Sequence, residues 1–391
     1  MSLKTRAMAL FFVLCFVITF PACTLFDSNS GVTNTTAAIK DTSEEVTVPV
    51  IATTVSQNEY SDIFDINTMT LEEKISQMIL VSCHENVDIE DAISKGVGGL
   101  CLYAFSFEDK TAEEVVDMTS SYQNASNIPL IISTDEEGGN VNRVSLNENL
   151  RAVPFWSPSE LYEYGGWELI KSDTEEKADL LLSLGINVNL APVCDVPLSE
   201  DNYIYDRTFG MDANNTGAYV TLVVSTMKDK GIGTTLKHFP GYGGSIDTHE
   251  NVSYDERDYS AFVNGDFVPF KCGIESGADS VLVSHNIITC MDNDMPASLS
   301  KPVHDILRND LGFTGVIITD DLVMDAITQF TDGESAAVYA VMAGNDMLCC
   351  EDYNEAVLSI SNAVNEGLIE EKQIDDSVMR IIKWKTNLNL I

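Results

Sequence analysis

Two short stretches of this chain bring together residue types that can make and break a bond to carbon. The first runs Lys237-His238-Phe239-Pro240-Gly241-Tyr242-Gly243-Gly244-Ser245-Ile246-Asp247-Thr248-His249. A strand-like run over 231–236 delivers the Lys-His pair and stops at Phe-Pro-Gly, and a glycine-rich loop then ends in Asp-x-His. A carboxylate close to an imidazole orients the ring and raises its pKa, which equips the pair as a general acid/base on a loop able to move. The second stretch is Gly315-Val316-Ile317-Ile318-Thr319-Asp320-Asp321-Leu322-Val323-Met324, where an apolar strand ends abruptly in two carboxylates. A nucleophile on a rigid strand and a proton donor on a flexible loop form the pairing that a two-step displacement uses. Either Asp320 or Asp321 has the chemistry for the first role. Strand alternation points neighbouring side chains oppositely, so the two are not expected to face a substrate equally.

The elements that must hold these groups alternate regularly. Short apolar runs at 78–83, 99–103, 130–133, 188–193, 233–237, 280–284, 315–319 and 346–349 read as strands. Amphipathic stretches at 112–123, 175–184, 213–230, 259–276, 303–311, 354–366 and 374–385 read as helices. Eight strand–helix units in about 320 residues predict an α/β fold, a parallel (β/α)8 TIM-type barrel forming a single catalytic domain. A doubly wound sheet is the competing arrangement, but no glycine-rich phosphate loop follows the first strand. Polar residues flank the strand ends: His84, Asp135, Asp195, Lys237 with His238, His285, Asp320 and Asp346. In a barrel the carboxyl ends of the strands converge on one face, where the chemistry takes place.

Bulk properties narrow the function. Sixty-one acidic against 22 basic residues give a formal charge of −39, which excludes nucleic acid as a partner because phosphate binding needs a basic surface. Residues 1–23 read as a lipoprotein-type signal peptide. Lys4 and Arg6 precede an apolar run over 7–20 that is too short to span a bilayer, and Ala22-Cys23 closes it. Cys23 is the expected lipidation site. The expected location is the outer side of the cytoplasmic membrane, attached by the lipid, or secreted. Residues 24–60 are rich in Ser, Thr, Asn and Val and read as a flexible tether, which leaves 61–391 as the catalytic barrel. Beyond Cys15 and Cys23, the seven remaining cysteines match neither a metal site nor a disulfide framework, and they are expected as buried thiols.

The Lys-His-Phe-Pro-Gly run joined to Asp-x-His, together with Asp320-Asp321-Leu322, resembles the signature regions of glycoside hydrolase family 3. The closest resemblance is to its single-domain β-N-acetylhexosaminidase (β-N-acetylglucosaminidase) branch. Asp135-Glu136-Glu137-Gly138-Gly139, Asn187 to Asp195, Asp206-Arg207-Thr208-Phe209-Gly210 and Pro296-Ala297-Ser298-Leu299-Ser300 agree with that branch, so the similarity runs from about Met69 to the C-terminus. The resemblance implies a retaining hydrolase that removes terminal β-linked N-acetylglucosamine through a glycosyl-aspartate intermediate. It selects Asp320 as nucleophile, leaving Asp321 to support the following turn. It also implies His249 as general acid/base, Asp247 as its orienting partner, and Asp135, Arg207, Lys237, His238 and His285 as substrate-binding residues. No metal or other cofactor is implied. The expected partner is a carbohydrate bearing N-acetylglucosamine. Three departures from the family stand out: Asn140 where Arg is usual, Tyr242 where His is usual, and an acid/base loop one residue shorter. Imidazole in place of a carboxylic acid does not repel an anionic acceptor, so a phosphorylase is an alternative. β-Glucosidase and β-xylosidase members usually carry a second domain for which 391 residues leave no room. A lipid-anchored sugar-binding protein is the non-enzyme alternative, one that has no need of both a nucleophile and a proton donor.

Overall fold

Short apolar runs without a polar face need cover on both sides, and a closed parallel sheet wrapped by helices gives it. The computed structural model describes residues 65–243, 253–322, 327, 330 and 335–391. The chain divides into two units, 1–54 and 55–391, and all described residues belong to the second. Eight barrel strands are β1 (Ile79–Cys83), β2 (Gly99–Leu102), β3 (Ile131–Thr134), β4 (Val188–Asn189), β5 (Gly233–Phe239), β6 (Ser280–Val283), β7 (Val316–Thr319) and β8 (Leu348–Cys350). They pair in parallel in the order β8-β1-β2-β3-β4-β5-β6-β7. A parallel bridge between Ile318 and Met347 joins the two ends. The Thr319 N–H donates to the Met347 carbonyl at 3.1 Å, and the Leu322 N–H to that of Cys349 at 2.9 Å. The (β/α)8 barrel expected from the alternation is the observed fold.

Two strands differ instructively from the sequence pattern. The fourth, expected over 188–193, is a ladder for only two residues, because Pro192 has no N–H to donate. The chain nevertheless stays beside β5: Val193 bridges Lys237, and the Cys194 N–H donates to the Lys237 carbonyl at 2.6 Å. In β5 the register against β6 shifts between Leu236 and Phe239. Such an irregularity breaks the simple alternation of side chains.

Helix starts follow local chemistry. Thr70 with Glu73, Thr111 with Glu114 and Ser157 with Glu160 form reciprocal capping boxes ahead of Leu71–Gln77, Ala112–Ala125 and Pro158–Ser183. The last of these extends well before the expected 175–184, and Gly166 (φ 61°, ψ −152°) kinks it where Gly165-Gly166 hides the pattern in the sequence. The helix expected over 259–276 is two, Tyr259–Asn264 and Phe267–Glu275, parted at Gly265. Amphipathic Glu371–Asn387 buries Ile374, Val378, Ile381 and Ile382.

Asp346 does not join the catalytic face. It precedes β8, and the carboxyl is buried at the opposite mouth of the barrel. There it accepts from Arg380 (2.8 Å), Ser377 Oγ (2.9 Å), the Ile317 N–H (2.8 Å) and Arg308. A polar residue bordering an apolar run marks a strand end without saying which end. The signal peptide, Cys23 and the tether lie outside the described residues.

Candidate active site

The carboxyl ends of the strands surround a cavity of about 640 Å³, with Asp320 and Asp321 on one side and Asp135, Lys237, Arg207 and His238 on the other. β7 delivers Asp320. Its N–H donates to the Val283 carbonyl of β6 at 2.9 Å, so its backbone is fixed by the sheet that precedes it. The Asp321 N–H in turn donates to Asp320 Oδ1 at 3.0 Å. Both carboxylates line the cavity, contrary to the expectation from alternation, because both lie just past the end of the strand at Thr319. Asp321 Oδ2 accepts from Ser82 Oγ, from His84 Nε2 (3.1 Å) and from the Tyr103 hydroxyl (3.4 Å). The His84 and Tyr103 rings stack at 4.8 Å. Asp321 is therefore a fixed part of the wall between β1, β2 and β7, and not only a turn residue.

His285 stands behind this wall and does not line the cavity. It is buried, and its Nε2–H donates to the Asp321 carbonyl at 2.9 Å while Nδ1 accepts from Ser298 Oγ at 2.7 Å. Its geometry is that of a strut holding the Asp320-Asp321 turn. The sequence pattern placed it correctly after β6 but could not tell a cavity residue from one layer deeper.

The opposite wall is a network of buried ions. Lys237 Nζ lies 2.6 Å from Asp135 Oδ1 and 2.6 Å from Glu137 Oε1. Arg207 grips Glu137 with two bonds, Nε to Oε2 at 3.0 Å and Nη2 to Oε1 at 2.8 Å. Burial alone would raise the Glu137 pKa, but Arg207 and Lys237 outweigh it and hold the carboxyl well below its usual range. Burial likewise opposes the charge of Lys237, yet Asp135 and Glu137 raise its pKa above the ordinary lysine value. His238 is fixed at both nitrogens. Arg207 Nη2 can only donate, so at 3.0 Å His238 Nε2 accepts, and the Nδ1–H donates to Asp195 Oδ2 at 2.8 Å. Asp195 is fully buried and also accepts the Tyr242 N–H at 2.7 Å, so it positions His238 from behind the cavity.

The chain matches the model of the glycosyl hydrolase family 3 N terminal domain over residues 70–384. It belongs to glycoside hydrolase family 3. A beta-hexosaminidase of Hydrogenovibrio crunogenus is 32% identical over 276 residues, covering 69% of this chain and 75% of that protein. Beta-hexosaminidase LpqI of Mycobacterium tuberculosis is 29% identical over 329 residues, covering 80% of this chain and 82% of that protein. The solved structure of a family 3 β-N-acetylglucosaminidase from a Paenibacillus species superposes with a TM-score of 0.76 at 30% identity, over 82% of this chain. The chain spans 63% of that longer Paenibacillus protein.

Within this family 3 barrel, the Asp135-to-Ser145 loop supplies residues whose roles the motif alone leaves unassigned. Glu136 is buried and accepts the N–H groups of Arg143 (2.8 Å), Val144 (2.7 Å) and Ser145 (3.2 Å), pulling the loop against the barrel. Gly138, at φ 104°, passes so close to the Trp156 carbonyl that a Cβ has no room. Arg143 lines the cavity with Nη2 3.7 Å from Asp135 Oδ2, and its buried Nε has no protein partner. Glu137 and Arg143 sit in and just after the acidic-Gly-Gly run, which is the signal for them; nothing local marks Tyr103. Asn140, at the departure from the family's Arg, reaches Asp206 Oδ2 at 3.4 Å. Tyr242, at the second departure, is buried edge-on against His238 with ring centres 5.2 Å apart. Asp247 and His249 lie outside the described residues.

Proposed function

We propose that this family 3 chain is a retaining β-N-acetylhexosaminidase that removes terminal β-linked N-acetylglucosamine. The observation that carries the reading is the cavity itself: a carboxylate fixed on the end of β7 faces a wall of paired charges across about 640 Å³. The names of the relatives at about 30% identity favour the acetamido sugar.

In the proposed cycle Asp320 attacks the anomeric carbon from one face of the ring. His249, aligned by Asp247, gives its proton to the leaving oxygen on the other face. The resulting glycosyl-aspartate is then opened by water, from which the same imidazole takes a proton, so configuration is retained. Asp135 would accept sugar hydroxyls, since Lys237 keeps it ionised and aimed. Lys237, Arg207, His238 and Arg143 complete recognition by donation to hydroxyls or to the acetamido carbonyl. Asp195 and His285 act as positioning residues, the first for His238 and the second for the turn that carries Asp320. Lipidation of Cys23, removal of 1–23 and a tether over 24–60 would place this activity outside the cytoplasmic membrane.

Hydrolysis of the p-nitrophenyl β-N-acetylglucosaminide and β-glucoside, with and without phosphate and with Asp320→Asn as the blank, tests the reading. Acetamido-selective release that vanishes in the blank and leaves free sugar is the expected result. Turnover of the glucoside alone would overturn the substrate class, and a sugar 1-phosphate product would replace hydrolysis by phosphorolysis.

A further inference from the structure

Two thiols share the inner wall of the catalytic cavity and take no part in the proposed chemistry. Cys101 of β2 and Cys349 of β8 both line it, next to Asp321. The strands that carry them flank β1, where Cys101 is in register with Ser82 and Cys349 with Leu80. Ser82 points into the cavity, since its hydroxyl bonds Asp321, and this fixes the same inward sense for its register partner. The two sulfurs meet: the Cys349 thiol is hydrogen-bonded with that of Cys101, and this contact, with burial, raises the Cys349 pKa well above the ordinary value. Both residues are buried from bulk solvent and reachable only through the cavity. Neither is paired in a disulfide.

The geometry selects what such a pair can take. Strands two apart in a sheet are separated by about 9–10 Å when flat, less when curled into a barrel. A disulfide wants its Cα atoms roughly 4.4–6.8 Å apart. The facing thiols are thus better spaced for one ion held between them than for a direct S–S bond. Zinc would need about four donors in a tetrahedron. Among the described residues no group of three or more His, Cys, Asp or Glu side chains is arranged to hold a metal. That leaves soft ions that accept two sulfur ligands, the class that thiolates select.

We propose that Cys101 and Cys349 form a two-coordinate site for a soft monovalent cation, copper(I) or silver(I), inside the sugar cavity. Binding releases one proton from each thiol and forms two metal–sulfur bonds, with no change of oxidation state. The product, two thiolates sharing one positive charge, places a net negative charge beside Asp321 and fills space at the floor of the cavity. Occupation therefore excludes sugar, and sugar excludes the ion.

The experiment titrates the reduced full-length chain with copper(I) buffered by bicinchoninate, read as transfer of copper from the coloured complex. The chain is compared with Cys101→Ala, Cys349→Ala and, as a control for the exposed thiol, Cys290→Ser. Circular dichroism confirms that each variant is folded. One tight equivalent present in the parent and in Cys290→Ser, and weakened at least tenfold in both cavity variants, is the expected result. N-acetylglucosamine at saturating concentration should weaken that equivalent in the parent. Equal copper affinity in the parent and both alanine variants overturns the site. Loss of affinity in only one of them also overturns it, because that indicates a single-thiol adduct. The titration needs no enzymatic turnover, so its outcome stands apart from the hydrolase reading.

Discussion

At the scale of single residues, the cavity's charge network decides both stability and recognition. Lys237 lies between Asp135 and Glu137, and Arg207 closes the other side of Glu137. Breaking one partner out of such a buried set leaves an uncompensated charge, which costs about 3–5 kcal/mol. Arg207→Met should therefore lower the urea-unfolding free energy by that amount. Arg207→Met with Glu137→Gln should lose less than the sum, since the stranded carboxylate is gone. The pH dependence has a definite sign. A carboxyl whose folded pKa is depressed stabilises the fold above its unfolded value and loses that contribution as pH falls through the folded one. Glu137 should thus support the barrel through neutral pH and release it only well into acid, and Glu137→Gln should flatten that limb. Of this network the sequence displays Asp135, Lys237, His238 and Arg207 through their motifs. Glu137 is in plain view, but its role depends on two cations arriving from β5 and from the Asp206–Gly210 loop. No local pattern encodes that meeting.

At the scale of elements, what counts is which end of a strand a residue occupies. Asp279 sits immediately before β6 and accepts the Thr234 N–H of β5 at 3.0 Å. Burial pushes its pKa up to about 6, against partial relief from that bond. An acid with a raised folded pKa binds its proton more tightly when folded, so stability falls as pH rises from about 4 to about 6. Asp279→Asn should remove this slope, worth at most about 3 kcal/mol, in unfolding curves recorded at pH 4.5 and pH 7. An unchanged slope would show that the carboxyl is solvated. Strand positions were legible because eight apolar runs recur between helical stretches. The short fourth ladder and the register shift in β5 were not, since each arises from how one strand meets its neighbour. The helix break at Gly265 and the kink at Gly166 have glycines as their visible cause, yet the same residue type elsewhere leaves a helix intact, as Gly273 does within Phe267–Glu275.

At the scale of the whole molecule, the barrel separates function from support. One mouth gathers Asp320, Asp135 and Lys237, and the other ties Asp346 to Arg308 and Arg380. The strong acidity of the chain suits a protein working in the open on neutral or weakly charged sugars, and repels phosphate backbones. If the first 23 residues deliver a lipid to Cys23, the parent should partition with membranes and Cys23→Ser should appear in the soluble fraction with unchanged specific activity. Equal membrane retention of both would remove the lipid anchor from the account. The central claim is that Asp320 forms a covalent bond to the sugar. Incubation with a 5-fluoro-N-acetylglucosaminyl fluoride slows the opening of the intermediate, and peptide mass spectrometry then locates the label. A single sugar adduct on Asp320 is the result predicted here; an adduct on Asp321, or slow turnover with no adduct at all, would contradict it.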